Sequence, residues 1–359
     1  MSLFEMKEID TQFYTEHLKE FLPEKIIDIH THVYTKEIVG TGAMKDKRLV
    51  SWTTLVAKDN PIQDLMETYS LMFPGKSVTP CIFPWVEPVE KIDALNAYTR
   101  SSATDHNLPV LLLVHPTWPV EKLEQQLVTG GYQGIKVYLN FSPSYLSGDE
   151  VRIFDFIPHE QLALIDKLGL ILMLHIPRSG RLQDPVNLAQ ILEIEQKYPN
   201  LKLVLAHVGR AYCPEDVGNA FEVLQKTERL VLDFSANTNP WVFARALEAL
   251  GSERLLFGSD LPIVRMRMRR ICEDGLYINL VPKGLYGDVS GDKNMREIDG
   301  KDADSLSFFL YEEIKAMKDA VQEVGLDKVD VENIFYTNAR KLIESTGFSM
   351  VEAGLENNG

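Results

Sequence analysis

The sequence predicts an α/β fold: a (β/α)8 TIM-like barrel with an N-terminal helix, long inserted loops and C-terminal helices. Three observations predict it. Eight short apolar runs recur along the 359 residues, and most are continuous rather than alternating, as strands buried on both faces require. The segments between them carry apolar residues at helical spacing. From the second run on, successive runs begin roughly 25 to 35 residues apart, the length of one strand-plus-helix unit. A doubly wound open sheet is the alternative. It would need fewer strands, and no G-x-G-x-x-G follows the first run.

The runs, in order, are IIDI (26–29), TPCIF (79–83), VLLLV (110–114), GIKVYL (134–139), LILML (170–174), LKLVLA (201–206), RLVLDF (229–234) and RLLF (254–257). Between them, 88–106, 119–129, 185–198 and 214–227 read as helices, with Pro at or near the first turn, where a missing N–H costs nothing. Two stretches are too long for plain connections: 33–77 after the first strand, and the Gly- and Asp-rich 275–304 after the eighth. Connections of that length are either lids or decorations, and 275–304 is expected to fold over the strand-end mouth. Helical patterns at 305–325 and 331–346 close the chain, so 1–359 is read as one barrel domain.

Charge and cysteine usage narrow the function classes. The net charge is −15, from 37 basic and 52 acidic residues, so general affinity for nucleic acid or an anionic membrane is not expected. The three cysteines, Cys81, Cys213 and Cys272, are far apart and odd in number, which is read as excluding a disulfide scaffold and a Cys-rich zinc site. There is no apolar run long enough to span a bilayer and no signal-peptide pattern at the N-terminus. The expectation is a cytoplasmic protein, compatible with a homo-oligomer.

The histidines carry the chemistry. Barrel enzymes place reactive groups where strands run out into C-terminal loops. His30 and His32 follow the first strand, His115 the third, His175 the fifth and His207 the sixth; Asp260 follows the eighth. His30 and His32 are two apart on extended chain, so both side chains share a face. Paired imidazoles with a carboxylate nearby suit a divalent metal ion. An H-x-H pair alone could be structural, and Asp260 alone could cap a helix; the set at matching strand ends is the specific signal.

The pieces DIHTH (28–32), GIKVYL (134–139), LMLH (172–175), LVLAHVG (203–209), LVLDFS (230–235), FGSDLP (257–262) and NIFYTNARKLI (333–343) resemble, in order, the amidohydrolase superfamily. Within it they resemble the amidohydrolase 2 branch, which includes aminocarboxymuconate-semialdehyde decarboxylase and related hydrolases and lactonases. The resemblance implies that His30, His32, His175 and Asp260 hold one divalent metal ion, zinc before others. His207 would be a further ligand or a catalytic acid/base, and Asp260 would also move the proton. Lys136 sits in G-I-K-V-Y where the branch has G-[IV]-K-L-H, so Tyr138 replaces a His. A substrate or internal carboxylate is the favoured partner for Lys136; a bridging carbamate, and with it a second metal, is the alternative.

Arginines cluster near the same rim: Arg178 and Arg181 after His175, Arg210 after His207, and Arg265, Arg267, Arg269 and Arg270 after Asp260. Arg grips carboxylates in bidentate fashion, so Lys136, Tyr138, Arg178, Arg210 and Arg265 are the expected contacts to a small anionic substrate. Each arginine could equally pair with one of the chain's own acids. Trp52, Trp85 and Trp118 are candidate lining or packing residues. The expected activity is hydrolysis of a small carboxylate-bearing amide, lactone or ester by metal-activated water. The alternative is a metal-dependent non-oxidative decarboxylase. Both histidines of DIHTH are kept, whereas some aromatic decarboxylases of the superfamily carry Glu at the first, which favours hydrolysis.

Overall fold

In the computed structural model, which describes residues 3–40, 52–85 and 89–350, all eight expected runs are strands. They are β1 (Lys25–His32), β2 (Ser77–Phe83), β3 (Leu111–Leu113), β4 (Gly134–Val137), β5 (Ile171–Leu174), β6 (Lys202–Leu205), β7 (Val231–Asp233) and β8 (Leu255–Leu256). Every neighbouring pair is parallel. β3 to β8 form one sheet in chain order and β1 pairs β2. The ring closes through single bridges: Ile82 to Val110 joins β2 to β3, and the Ile29 amide donates to the Phe257 carbonyl to join β1 to β8. Of the long stretch after β1, residues 41–51 lie outside the described residues.

Helices alternate with the strands as their apolar spacing requires. They are α1 (Glu8–Phe13), α2 (Ile62–Met72), α3 (Ile92–His106), α4 (Val120–Gly130), α5 (His159–Leu168), α6 (Pro185–Lys197), α7 (Ala220–Leu224), α8 (Pro240–Leu250), α9 (Phe309–Val324) and α10 (Asn338–Glu344). The Asp184 carboxylate caps α6 by accepting the Val186 and Asn187 amides, with Pro185 at the first helical position. α7 is much shorter than the 214–227 pattern suggests, because Pro214–Asp216 forms a separate 3-10 turn.

The barrel interior is divided along its axis. Ile27, Ile29, Leu111, Ile171, Met173, Val204 and Leu256 fill the interior below the mouth, with Ala339 and Ile343 of α10 in the same cluster, and Phe83 at the end of β2 joins that cluster to the His30 and His32 rings. In β1 the pairing register shifts between Asp28 and Thr31. That irregularity breaks strict alternation, so Ile27 and Ile29 join the apolar floor while His30 and His32 reach the mouth.

Two expectations need correction. Residues 275–304 are not an irregular loop. β9 (Arg269–Glu273), β10 (Leu276–Pro282) and β11 (Met295–Ile298) form a small sheet in which β10 is central, and Gly and Asp mark its turns. The cysteines are not all free: Cys213 and Cys272 form a disulfide, with Cα atoms 5.8 Å apart across 59 residues, while Cys81 is free and buried. Wide sequence separation argues against a local bridge, but the barrel brings the two segments together.

Candidate metal centre

His30, His32, Lys136, His175, His207 and Asp260 all line one pocket at the C-terminal mouth. Ligand atoms of His30, His207 and Asp260 lie within 4.8 Å of one another, and all three residues are buried. His32 Nε2 is 2.8 Å and His30 Nε2 3.6 Å from Asp260 Oδ1. The His175 ring packs edge-on to His207, with centroids 5.3 Å apart. The tightest group is thus His30, His207 and Asp260, with His32 against the same carboxylate oxygen.

The partners behind these rings decide which nitrogen faces the centre. His30 Nδ1 is 2.9 Å from Asp233 Oδ2, His32 Nδ1 is 3.2 Å from the Pro84 carbonyl, and His207 Nδ1 is 3.1 Å from the Ser235 carbonyl. With Nδ1–H donating outward, the Nε2 lone pairs of His30 and His207 point inward, the arrangement that outer partners impose on metal-binding imidazoles, while His32 Nε2 meets Asp260 Oδ1 in a hydrogen bond. Asp233 Oδ1 also accepts the His207 amide and the Ser235 hydroxyl, so one carboxylate braces two histidines. Asp233, buried at the end of the LVLDF strand run, is the main residue that sequence reasoning missed. A charged residue ending an apolar strand was the available signal.

Protonation states match a ligand set. Burial, reinforced by Lys136, holds His30 down at about 3. Burial, with Arg210 next, pushes His175 well below the usual imidazole value, and burial lowers His207. Burial works against ionisation of Asp260, but the His32 hydrogen bond and the neighbouring His30 outweigh it and leave its carboxyl below the usual range. Neutral imidazoles beside an ionised carboxylate are the forms a divalent cation requires. The donor set therefore fits such an ion.

Backbone conformation at the mouth is unusual. Arg181, His207, Arg210, Ala236 and Asp260 line the pocket and have φ between 49° and 66°, a left-handed region that costs a side-chain-bearing residue energy. Gly258 permits a close approach: a Cβ there would lie 2.8 Å from His30 Cβ. Such strained turns fix ligand directions at the strand ends.

The remaining predicted residues divide. Lys136 is 1% exposed, with Nζ 3.5 Å from His30 Nε2 and above the Phe83 and Tyr138 rings. Burial lowers its ammonium to about 8, against the pull of Asp233 and Asp260. The Tyr138 hydroxyl is 3.3 Å from His32 Nδ1. Arg210 lines the pocket and donates to the carbonyls of Ile176, Pro177 and Arg178 rather than to a carboxylate.

Arg178 and Arg265 were expected at the substrate, and the structure places neither in the pocket lining. Arg178 Nε reaches both Asp184 oxygens, bracing the α6 cap. Arg265 Nη2 donates to Asn60 Oδ1 at 3.0 Å. Long side chains reach nearby internal acceptors that sequence order does not reveal. Arg181 takes the pocket position instead, tied to Asp216 at 2.6 Å and above the Tyr212 and Tyr277 rings. Trp52, Trp85, Tyr212 and Tyr277 complete the aromatic wall. Trp118 sits under Lys122, and His115 Nδ1 pairs with Thr117; neither lines the pocket.

The profile of the amidohydrolase family matches residues 27–344. No curated protein matches the chain. Among solved structures, the fold is similar to 4-oxalomesaconate hydratase from Rhodopseudomonas palustris, at 15% identity and TM-score 0.55, covering 90% of this chain and 96% of that one. It is similar to a probable 2-pyrone-4,6-dicarboxylic acid hydrolase from Acinetobacter baumannii, at 15% identity and TM-score 0.52, covering 89% and 99%. It is also similar to 2,6-dihydroxybenzoate decarboxylase from Rhizobium, at 13% identity and TM-score 0.50, covering 90% and 99%. No helix among the described residues is long and apolar enough to cross a membrane.

Proposed function

Because the chain belongs to the amidohydrolase family, we propose that it is a metal-dependent hydrolase of a small carboxylate-bearing lactone, amide or ester. The observation that carries this reading is the convergence of imidazole Nε2 atoms on the Asp260 carboxylate at the barrel mouth. His30, His32, His207 and Asp260 would hold one divalent ion, zinc by its taste for imidazole nitrogen, with His175 beside them. When bound, the ion supplies Lewis acidity and lowers the pKa of a coordinated water.

The chain's own residues do the rest. Ionised Asp260 accepts a proton from the attacking water and returns it to the leaving group. His207, braced by Ser235 and Asp233, keeps its Nε2 lone pair turned toward the ion's position. Arg210, with no carboxylate as its hydrogen-bond partner, and Arg181 hold the substrate carboxylate. The aromatic wall excludes water from the opposite side. A cytoplasmic location and a homo-oligomer belong to the same proposal.

Decarboxylation is the second reading, favoured by the likeness to the Rhizobium decarboxylase fold. A panel of lactones and esters of small carboxylic acids scored for proton release, with amides scored for amine release, against hydroxybenzoates scored for CO2 release, separates the two. Proton or amine release without CO2 supports hydrolysis; CO2 release alone overturns it in favour of decarboxylation.

A further inference from the structure

We propose that Cys272 is a thiol–disulfide exchange site through which a dithiol loosens the cover of the pocket. The Cys213–Cys272 bridge ties the loop after β6 to the added β9–β11 sheet. That loop carries His207, Arg210 and Tyr212. On the other side, Cys272 is directly opposite Tyr277 in the β9–β10 pairing. Tyr212 and Tyr277 both line the pocket, and their rings meet edge-on with centroids 4.9 Å apart. The bridge therefore fastens the two halves of the aromatic cover at the point where they touch.

The two sulfurs differ in access. Cys213 is fully buried, whereas Cys272 is exposed. Exchange rates depend on which sulfur can be reached, so a dithiol thiolate attacks Cys272 Sγ. The bond between the two cysteines breaks, and Cys213 departs as a thiolate that takes up a proton. The second thiol of the dithiol then attacks the mixed disulfide and frees Cys272 as a thiol. The protein bridge gains two electrons and two protons, and the dithiol becomes its own disulfide.

Reduction would loosen the cover without unfolding it, because other ties remain. Arg270 Nη1 donates to the Ala236 carbonyl, the Trp52 indole donates to the Tyr277 hydroxyl, and Arg269 pairs with Glu312. The metal-centre residues lie on the barrel strands or just past their ends, and His207 keeps its ties to Asp233 and Ser235. The inference rests on how the pocket is covered, not on the reaction, and its test uses no substrate.

The full chain, purified in air without reductant, is mapped by mass spectrometry and by hydrogen exchange before and after native-state treatment with dithiothreitol. The expected result is a Cys213–Cys272 cross-linked peptide that dithiothreitol opens, with iodoacetamide then labelling Cys272 ahead of Cys213. Amides of 269–281 lose protection on reduction while those of β5 and β6 do not. Cys272→Ser should show that loss from the start and no response to dithiothreitol, and Cys81→Ser should behave as the parent. Two free thiols in the air-purified protein, a bridge that resists native reduction, or unchanged exchange across 269–281 would each overturn the proposal.

Discussion

The two ends of the barrel are built from the same eight strands and share almost no chemistry. Toward the strand N-termini the interior is Ile27, Ile171, Met173, Val204 and Leu256, joined by Ile343 of α10. At the other end β1, β4, β5 and β6 lead to His30, Lys136, His175 and His207, and β8 leads to Asp260. One end buries apolar surface, which stabilises the fold at about 25 cal/mol per Å2. The other buries ionisable groups and holds several residues at positive φ, which costs stability. The contrast teaches that the floor keeps strand ends rigid enough to impose a ligand geometry the mouth could not hold alone.

The contrast breaks most visibly at Asp260. Asp260→Asn keeps the shape but removes the charge and the proton acceptor. We expect activity to fall by about a thousandfold, in the range for loss of a general acid–base, with Tm within a few degrees of the parent. Steady-state kinetics with calorimetry checks both halves. The mirror-image change is Ile171→Ala in the floor, a fully buried side chain. It should cost about 2–5 kcal/mol in denaturant unfolding while metal content stays at the parent value. A floor variant that lost metal without losing stability would dissolve the division between the ends.

Smaller effects sharpen the same picture. Asp233→Asn leaves a hydrogen-bonding side chain but removes the charge behind His30. Metal affinity should drop by about 10- to 100-fold, read by competition with a chromogenic chelator. Arg210→Met should raise KM about tenfold with kcat nearly unchanged, the signature of lost uniform binding. Arg178→Met, whose parent side chain holds the α6 cap, should leave KM alone and lower Tm slightly.

The smallest effect concerns Glu313 of α9. Its carboxyl is completely buried; Oε2 accepts the Ala236 amide and Oε1 has no partner. Burial, with Asp28 adding to it, holds its pKa well above the ordinary 4.5. The folded state keeps this proton after the unfolded chain has released it, so its contribution to stability declines as pH rises above about 4.5. Glu313→Gln removes that decline. Tm of the variant relative to the parent should increase between pH 5 and pH 8; a difference that does not change with pH would refute the buried neutral carboxyl.

Much of this architecture is legible in the sequence because continuous apolar runs have few other uses. All eight strands fall on the expected runs, and His30, His32, His175, His207 and Asp260 meet in one pocket, while His115 turns to Thr117 instead. The departures have physical causes. The register shift between Asp28 and Thr31 leaves no mark on composition. Asp233 reads as the end of a strand until the His30 ring is placed beside it. Arginine side chains are long enough to turn to Asp184 or Asn60, so their nearness to a site in sequence decides little. The β9–β11 sheet is hidden by its Gly- and Asp-rich turns, and the bridge joins positions 59 apart that only the closed barrel brings together.

Metal analysis tests the central claim most directly. After incubation with zinc and removal of the excess, the parent chain, His30→Ala and Asp260→Asn are compared by elemental analysis and calorimetry. The account predicts about one zinc per parent chain, as for a single site, and a large loss in both variants with folding retained. A parent chain that binds no zinc, or variants that bind as much as the parent, would contradict it.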